Sequence, residues 1–389
     1  MRLAIYHGTF QPGQDGTMTT LMRQHDRFWA EGVEQLVLTP LPPKPGAGVR
    51  SEIFPLPKIA FPAYTDYAVA LPRRAPVWRK LDAWRPDLVQ IGTPDLGGRC
   101  VLRWARARGV PVVGAYHTHF PTYLRYYGAG FLEGWLWRDF AKFYNQCDAV
   151  LVPTKPIEAE LAAHGIGKLV PWPRGVDRER FHPGRRSEEL RRRAGVPEGG
   201  VLVAYAGRLV SEKNVELVAE AWAGIRERFP AARLMWLGDG PRRGWLERRT
   251  PDAFFPGYLH GEDLWSAYAS ADVLVFCSVT ETFGNVVLEG MASGLPAVGV
   301  AGTSIAALIE ASGAGLVAER AEPGPVAARL AELLGDAALR TAMRERALAF
   351  AAEQSWDAVL GAQLELYRRL MAERPQPGAG KRFSSSPIT

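Results

Sequence analysis

Short apolar runs bounded by glycine, proline and polar residues recur along the chain, and each leads into a segment whose apolar positions fall three and four apart. In the first half the runs are residues 3–6, 35–38, 88–91, 110–113 and 150–152; in the second they are 201–205, 234–237, 273–277 and 297–300. Runs this short and this uniformly apolar predict strands buried on both faces, as in a parallel sheet. Between them, helical spacing predicts helices over 17–31 and 285–293, the latter stopped by Gly294 with Pro296 beyond. Leu132, Trp135, Leu136, Phe140, Phe143 and Cys147 form a further helical series, read mostly as core. So do Val218, Trp222, Ile225 and Phe229, and, near the end, Trp356, Leu360, Leu364, Tyr367 and Met371. Strand and helix alternate twice over, which predicts two doubly wound α/β domains. Residues 41–86 are proline-rich and read as irregular. A charged stretch over 185–193 reads as a surface helix, with the boundary between the halves at 180–198. The last residues, rich in Pro, Gly and Ser, carry no core pattern and read as a mobile tail.

The length of 389 residues suits two or three domains, and 47% hydrophobic with 23% charged residues suits full soluble cores. Cys100, Cys147 and Cys277 are scattered, and the last two fall in apolar elements, so buried thiols are expected rather than disulfides or metal ligands. No run reaches the 18 apolar residues of a membrane span, and the first residues are broken too soon for a signal peptide. A net charge of +6 favours anionic partners without choosing among sugar nucleotides, acidic lipid and nucleic acid. The cluster Arg73, Arg74, Arg79 and Lys80 reads as a solvated face or as a patch for an anionic membrane.

The chemistry concentrates in 279–290, VTETFGNVVLEG, between one predicted strand and the next. Gly284, Asn285 and Val286 open a helix, where unpaired N–H groups make an anion site. Glu281 lies in the loop. Glu289 lies four residues after Asn285, on the same helical face, where a carboxylate can accept hydrogen bonds from vicinal ribose hydroxyls. One loop thus offers an acid for a sugar, amides for a phosphate and an acid for a ribose. Arg208 and Lys213, five apart in GRLVSEKN, suit a diphosphate; a surface ion pair with Glu212 is the other reading. The glycine-rich loop of residues 7–16 follows the first strand but lacks the GxGxxG spacing of a dinucleotide site. His117 and His119 follow a predicted parallel strand, at the ligand-facing edge of an open sheet.

The string ETFGNVVLEGMASGLPAV resembles the Glu-x7-Glu signature of the family-four retaining glycosyltransferases of the GT-B fold, and GRLVSEKN is similar to the diphosphate loop of that family. The segment RGVD…FHP resembles the interdomain stretch of members that use GDP-mannose or build glycolipids. The resemblance covers roughly residues 1–370. It implies two Rossmann-like domains facing a cleft: 1–182 binding the acceptor, 183–355 binding the nucleotide sugar, 356–371 a helix returning to the first domain, and 372–389 a flexible tail. It implies a donor diphosphate held by Arg208, Lys213, Gly16, Gly284, Asn285 and Val286, and a donor sugar held by Glu281, Phe283 and His117, with Glu281 and His117 the catalytic pair. Glu289 would take the ribose, Tyr258 and Leu259 the nucleobase, and Tyr123, Arg125 and Tyr126 the acceptor.

With no Asp-x-Asp pair, no metal and no resident cofactor are expected; cations, amides and a helix dipole would stabilise the leaving diphosphate instead. The expected reaction moves a hexosyl group, mannose before glucose, from a GDP-mannose or UDP-glucose type donor to a lipid or glycan hydroxyl. A sugar-nucleotide 2-epimerase of the same fold and a silent sugar-nucleotide-binding protein are the alternatives. Nucleic acid is not an expected partner. The expected location is the cytoplasm, with attachment to the inner face of an anionic membrane.

Overall fold

The computed structural model describes residues 1–13, 16–61, 64–119 and 130–373. The chain divides into two compact units: Met1–Ala115, Phe143–Val150 and the residues from Leu360 on in one, Tyr116–Lys142 and Leu151–Val359 in the other. The expected tail lies, from residue 374, outside the described residues.

The first sheet holds β1 (Arg2–Tyr6), β2 (Glu34–Thr39), β3 (Glu52–Pro55), β6 (Leu88–Ile91), β7 (Val112–Ala115), β8 (Ala149–Val152) and β9 (Leu169–Pro171) in the order β3-β2-β1-β6-β7-β8-β9. The pairs from β3 through β7 are parallel. Strands β6, β7 and β8 are buried along their whole length, the condition their uninterrupted apolar sequences predict. The proline-rich stretch read as irregular is not so. Besides β3 it forms an antiparallel pair, β4 (Lys58–Phe61) with β5 (Tyr64–Ala70), and a helix, Arg74–Trp84. That helix buries only Val77, Leu81 and Trp84, too sparse a stripe to stand out from the sequence. Three of the four residues of the predicted basic cluster lie on it: Arg79 is exposed, Arg74 stacks its guanidinium 4.0 Å over the Trp78 ring, and Lys80 pairs with Glu52. Arg73 is the residue just before it.

The last helix, Trp356–Ala372, buries Leu360, Gln363, Leu364, Leu366 and Tyr367. Gln363 Nε2 donates to Gln24 Oε1 (3.0 Å) and Tyr367 Oη to Gln90 Oε1 (2.8 Å), while Gln24 Nε2 donates to Gln90 Oε1 (2.7 Å). All four groups are buried. A closed network of this kind meets the rule that buried polar groups find partners, and it ties this helix to β6 and to helix Gly16–Ala30.

The second sheet, β12 (Phe254–Gly257), β11 (Ala232–Leu237), β10 (Val201–Ala206), β13 (Val273–Val275), β14 (Ala297–Val300) and β15 (Gly315–Ala318), runs in that order with every neighbour parallel. The strand order reverses direction between β10 and β13, the switch point at which open α/β sheets bind ligands beyond the carboxyl ends of their strands. The charged stretch expected on the surface contains one buried member. Arg191 donates to Ser270 O (2.8 Å) and Asp272 Oδ2 (2.7 Å), so its charge is met in place. The three cysteines are buried thiols. Among the described residues no helix is long and apolar enough to cross a membrane.

Candidate active site

Two loops of the second unit leave the carboxyl ends of β10 and β13, the strands flanking the switch point. The first passes through Gly207 and Arg208 to a short 3-10 turn, Ser211–Lys213. Asn214, in the left-handed region at φ 54°, then leads into helix Val215–Ile225. The second runs from Phe276 to Gly284 and enters helix Asn285–Ala292. Side-chain-to-backbone bonds lash the loops together: Asn214 Nδ2 donates to Cys277 O (2.9 Å) and Thr280 Oγ1 to Glu212 O (3.2 Å). Between them Lys213 Nζ lies 2.5 Å from Glu281 Oε1, with the two side chains only 13% and 23% exposed. The sequence assigns these residues to phosphate and to sugar; the structure joins them directly. Arg208 comes within 3.7 Å of Glu212 while staying 40% exposed, so the ion pair with Glu212 is present beside an accessible guanidinium. Beneath the loops Tyr205 Oη donates to Arg208 O (3.2 Å); burial first, and then the Glu281 charge, push its phenol well above the ordinary range, keeping it a neutral donor.

Gly284 sits at φ 101°, and a Cβ there would lie 2.2 Å from Ile305 Cδ1, so only glycine makes this turn. The turn aims the first amides of the helix, Asn285 and Val286 among them, out of its N-terminus, where they and the helix dipole suit a phosphate. Glu289, one turn further, is half-buried and accepts a hydrogen bond from Tyr268 Oη (3.2 Å). Burial pushes its carboxyl up to about 7, so near neutral pH it is partly protonated rather than the fixed carboxylate that the sequence suggests.

His117 follows β7, is buried, and belongs to the second unit. Its carbonyl accepts from Thr282 Oγ1 (2.9 Å). The Thr282 carbonyl in turn accepts from Thr154 Oγ1 (3.1 Å), which also meets Ser304 Oγ (2.9 Å). His117 is therefore pinned to the residue next to Glu281. His119 instead places Nε2 2.6 Å from Glu160 Oε2 and packs against Trp137, a structural arrangement. Tyr258, just past β12, is 54% exposed and stacks on His260 at 6.0 Å; Leu259 beside it is half-buried. Gly16 opens helix Gly16–Ala30 in the first unit. Tyr123, Arg125 and Tyr126 lie outside the described residues. Not all of the series read as core is core: Phe140, Phe143 and Cys147 are buried, but Leu132 and Trp135 are 40% and 58% exposed, with Phe131 at 85%. The sequence reading did not single out Thr154, Thr282 and Trp172. Thr282 at least lies inside the signature string, whereas Thr154 carries no sequence signal.

Two family models match: one described as glycosyl transferases group 1 over residues 200–336, the other as glycosyltransferase family 4 over residues 15–180. A GDP-mannose-dependent alpha-mannosyltransferase of Corynebacterium glutamicum is 30% identical over 96% of this chain and 90% of its own. One of Mycobacterium tuberculosis is 36% identical over 77% of this chain and 78% of its own. Among solved structures, sucrose-phosphate synthase from Thermosynechococcus elongatus superposes with a TM-score of 0.76 at 19% identity, covering 95% of this chain and 99% of that one, a likeness of fold alone. With its Glu281–Glu289 loop, its cationic loop and two parallel-sheet domains of the GT-B kind, the chain belongs to the family-four glycosyltransferases.

Proposed function

We propose that this glycosyltransferase takes mannose from GDP-mannose and places it, with retention, on a hydroxyl of a lipid or glycan, without a metal ion. The donor follows from the two relatives, whose names specify GDP-mannose. One observation carries the placement of the chemistry: Lys213 and Glu281 meet at 2.5 Å on loops lashed together beside the helix that begins at Asn285. A cation and a carboxylate in contact are poised to part around a sugar diphosphate. Lys213, with Arg208, turns to the phosphates, and Glu281 is left against the sugar, whose anomeric carbon gains positive character as the bond to phosphate breaks. Asn285 and Val286 add amide donors, Gly284 and Gly16 allow close approach, and Phe283 and His117 flank the sugar. Glu289 takes the ribose, and Tyr258 and Leu259 face the base.

A double displacement needs a carboxylate nucleophile at the anomeric carbon. Glu281 is assigned to sugar binding, so attack on the face of the departing phosphate, which takes the acceptor proton, is the path proposed. Tyr123, Arg125 and Tyr126 are the proposed acceptor contacts, within a 1–182 acceptor domain that complements the 183–355 donor domain. Docking on the inner face of an anionic membrane is supported by the exposed Phe131 and Trp135, which share a helical stripe with exposed Arg138 and Lys142.

The test is release of nucleoside diphosphate from a panel of GDP- and UDP-sugars, first without acceptor and then with lipid and glycan acceptors. GDP release from GDP-mannose, faster than UDP release from UDP-glucose, is the expected outcome. Interconversion of the sugar without release, or binding without turnover of any donor, would overturn the proposal.

A further inference from the structure

Arg174 is 4% exposed, and among the described residues no carboxylate pairs with it. Its Nη1 donates to Trp172 O (2.7 Å) and Pro173 O (3.3 Å), and its guanidinium carbon stands 4.1 Å from the Trp172 ring centre and 5.9 Å from that of Phe283. The Trp172 ring also meets the His117 ring edge-on, 5.2 Å away at 77°. His117, Trp172, Arg174 and Phe283 therefore form one continuous stack. It ends on the loop between Glu281 and Gly284, and the bond from Thr282 Oγ1 to His117 O closes the circuit through the backbone. All of these residues lie in the second unit.

Packing does not require a cation here. An apolar side chain of similar length fills such a space at no greater desolvation cost, because a buried charge without a counter-ion is disfavoured. Burial is strong enough to bring even this guanidinium down to about 9. What the charge adds is attraction to two ring faces at once, which fixes the distance and tilt between them.

We infer that Arg174 is a positioning residue for glycosyl transfer, holding the Phe283 loop and the His117 ring in a single arrangement through its stack with Trp172. The inference rests on the donor-site reading of Glu281, Phe283 and His117. Because Arg174 touches the rings and not the reacting atoms, its loss acts through misplacement, which costs about tenfold to a hundredfold in turnover when catalytic groups shift by an ångström or so.

The experiment compares R174M and R174K in the full chain, by steady-state turnover of GDP-mannose, thermal unfolding and hydrogen exchange of the peptide spanning 278–288. R174M is expected to lower kcat about tenfold to a hundredfold, with the donor KM changed less than about threefold and unfolding nearly unchanged. R174K, which keeps the charge, is expected to recover part of that loss. In R174M the 278–288 amides should exchange at least about tenfold faster while first-unit peptides stay as they were. Unchanged exchange in that peptide, or equal losses in R174M and R174K, overturns the inference. If R174M does not fold, F283L in combination with R174K decides: effects that simply add contradict a shared stack, whereas non-additive effects support it. If the native chain turns over no nucleotide sugar yet R174M loosens the loop, the donor reading fails, and what stands is that Arg174 holds the Phe283 loop in place.

Discussion

Glu289 is the group whose behaviour the structure changes most from what its place in the motif suggests. Burial raises its carboxyl from an ordinary 4.5 to about 7, so the folded chain holds this proton more tightly than the unfolded chain does. The sign follows: the stabilising contribution is complete below about 4.5, is lost as pH rises towards 7, and changes no further above that. At about 1.4 kcal/mol per tenfold change in the protonation equilibrium, the full effect is about 3 kcal/mol, and partial exposure of the residue brings it to about 2. The perturbation is Glu289→Gln, whose amide oxygen still accepts from Tyr268 Oη but never ionises. Urea unfolding of both proteins should find the variant more stable than the native chain by about 2 kcal/mol at pH 8, and by under about 1 kcal/mol at pH 5. Nucleotide binding should show the complement. Ribose hydroxyls donate best to the ionised carboxylate, so native GDP affinity should rise about tenfold from pH 6 to pH 8, and the Gln variant should be flat. A stability difference identical at both pH values, together with pH-independent native binding, would refute the reasoning, because it would mean that Glu289 ionises normally.

Three further outcomes are expected. Arg208→Ala and Lys213→Ala should each weaken nucleoside diphosphate binding about tenfold to a hundredfold by calorimetry. The Lys213 change should also free Glu281, so it alone should alter the donor's sugar preference. Excess EDTA should leave turnover intact, and activity that vanished on chelation and returned with magnesium or manganese would reveal a metal requirement. Sedimentation with anionic vesicles but not neutral ones, weakened by salt, should depend on Phe131 and Trp135; equal indifference to both vesicle types argues for a soluble acceptor.

The strands of the second unit could be read from the sequence because a parallel strand covered on both faces must be apolar throughout, as in Val201–Ala206 and Ala297–Val300. The pair β4–β5 and helix Arg74–Trp84 could not: the helix buries only Val77, Leu81 and Trp84, and both lie among prolines that signal irregular chain. In the site, the helix start at Gly284 was legible from local rules alone: a glycine, a helical apolar series, and a Gly-Leu-Pro stop. The partner of Lys213 was not, because Glu281 is 68 residues away and only the neighbouring of β10 and β13 brings them together. Trp135 misled for a related reason. Helical spacing tells which residues share a face, but not whether another element covers that face. Arg174 lies within the RGVD string, yet its burial between two rings depends on where the 281–284 loop returns, which no local pattern encodes.

The central claim is that the sugar–phosphate bond breaks against Glu281, and steady-state kinetics of Glu281→Gln with GDP-mannose tests it most directly. A carboxylate whose attraction grows as positive charge develops on the sugar acts in the transition state more than in the ground state. The account therefore predicts a kcat lower by about a hundredfold to a thousandfold, with little change in KM. A Glu281→Gln enzyme that keeps its kcat and only raises KM would contradict it.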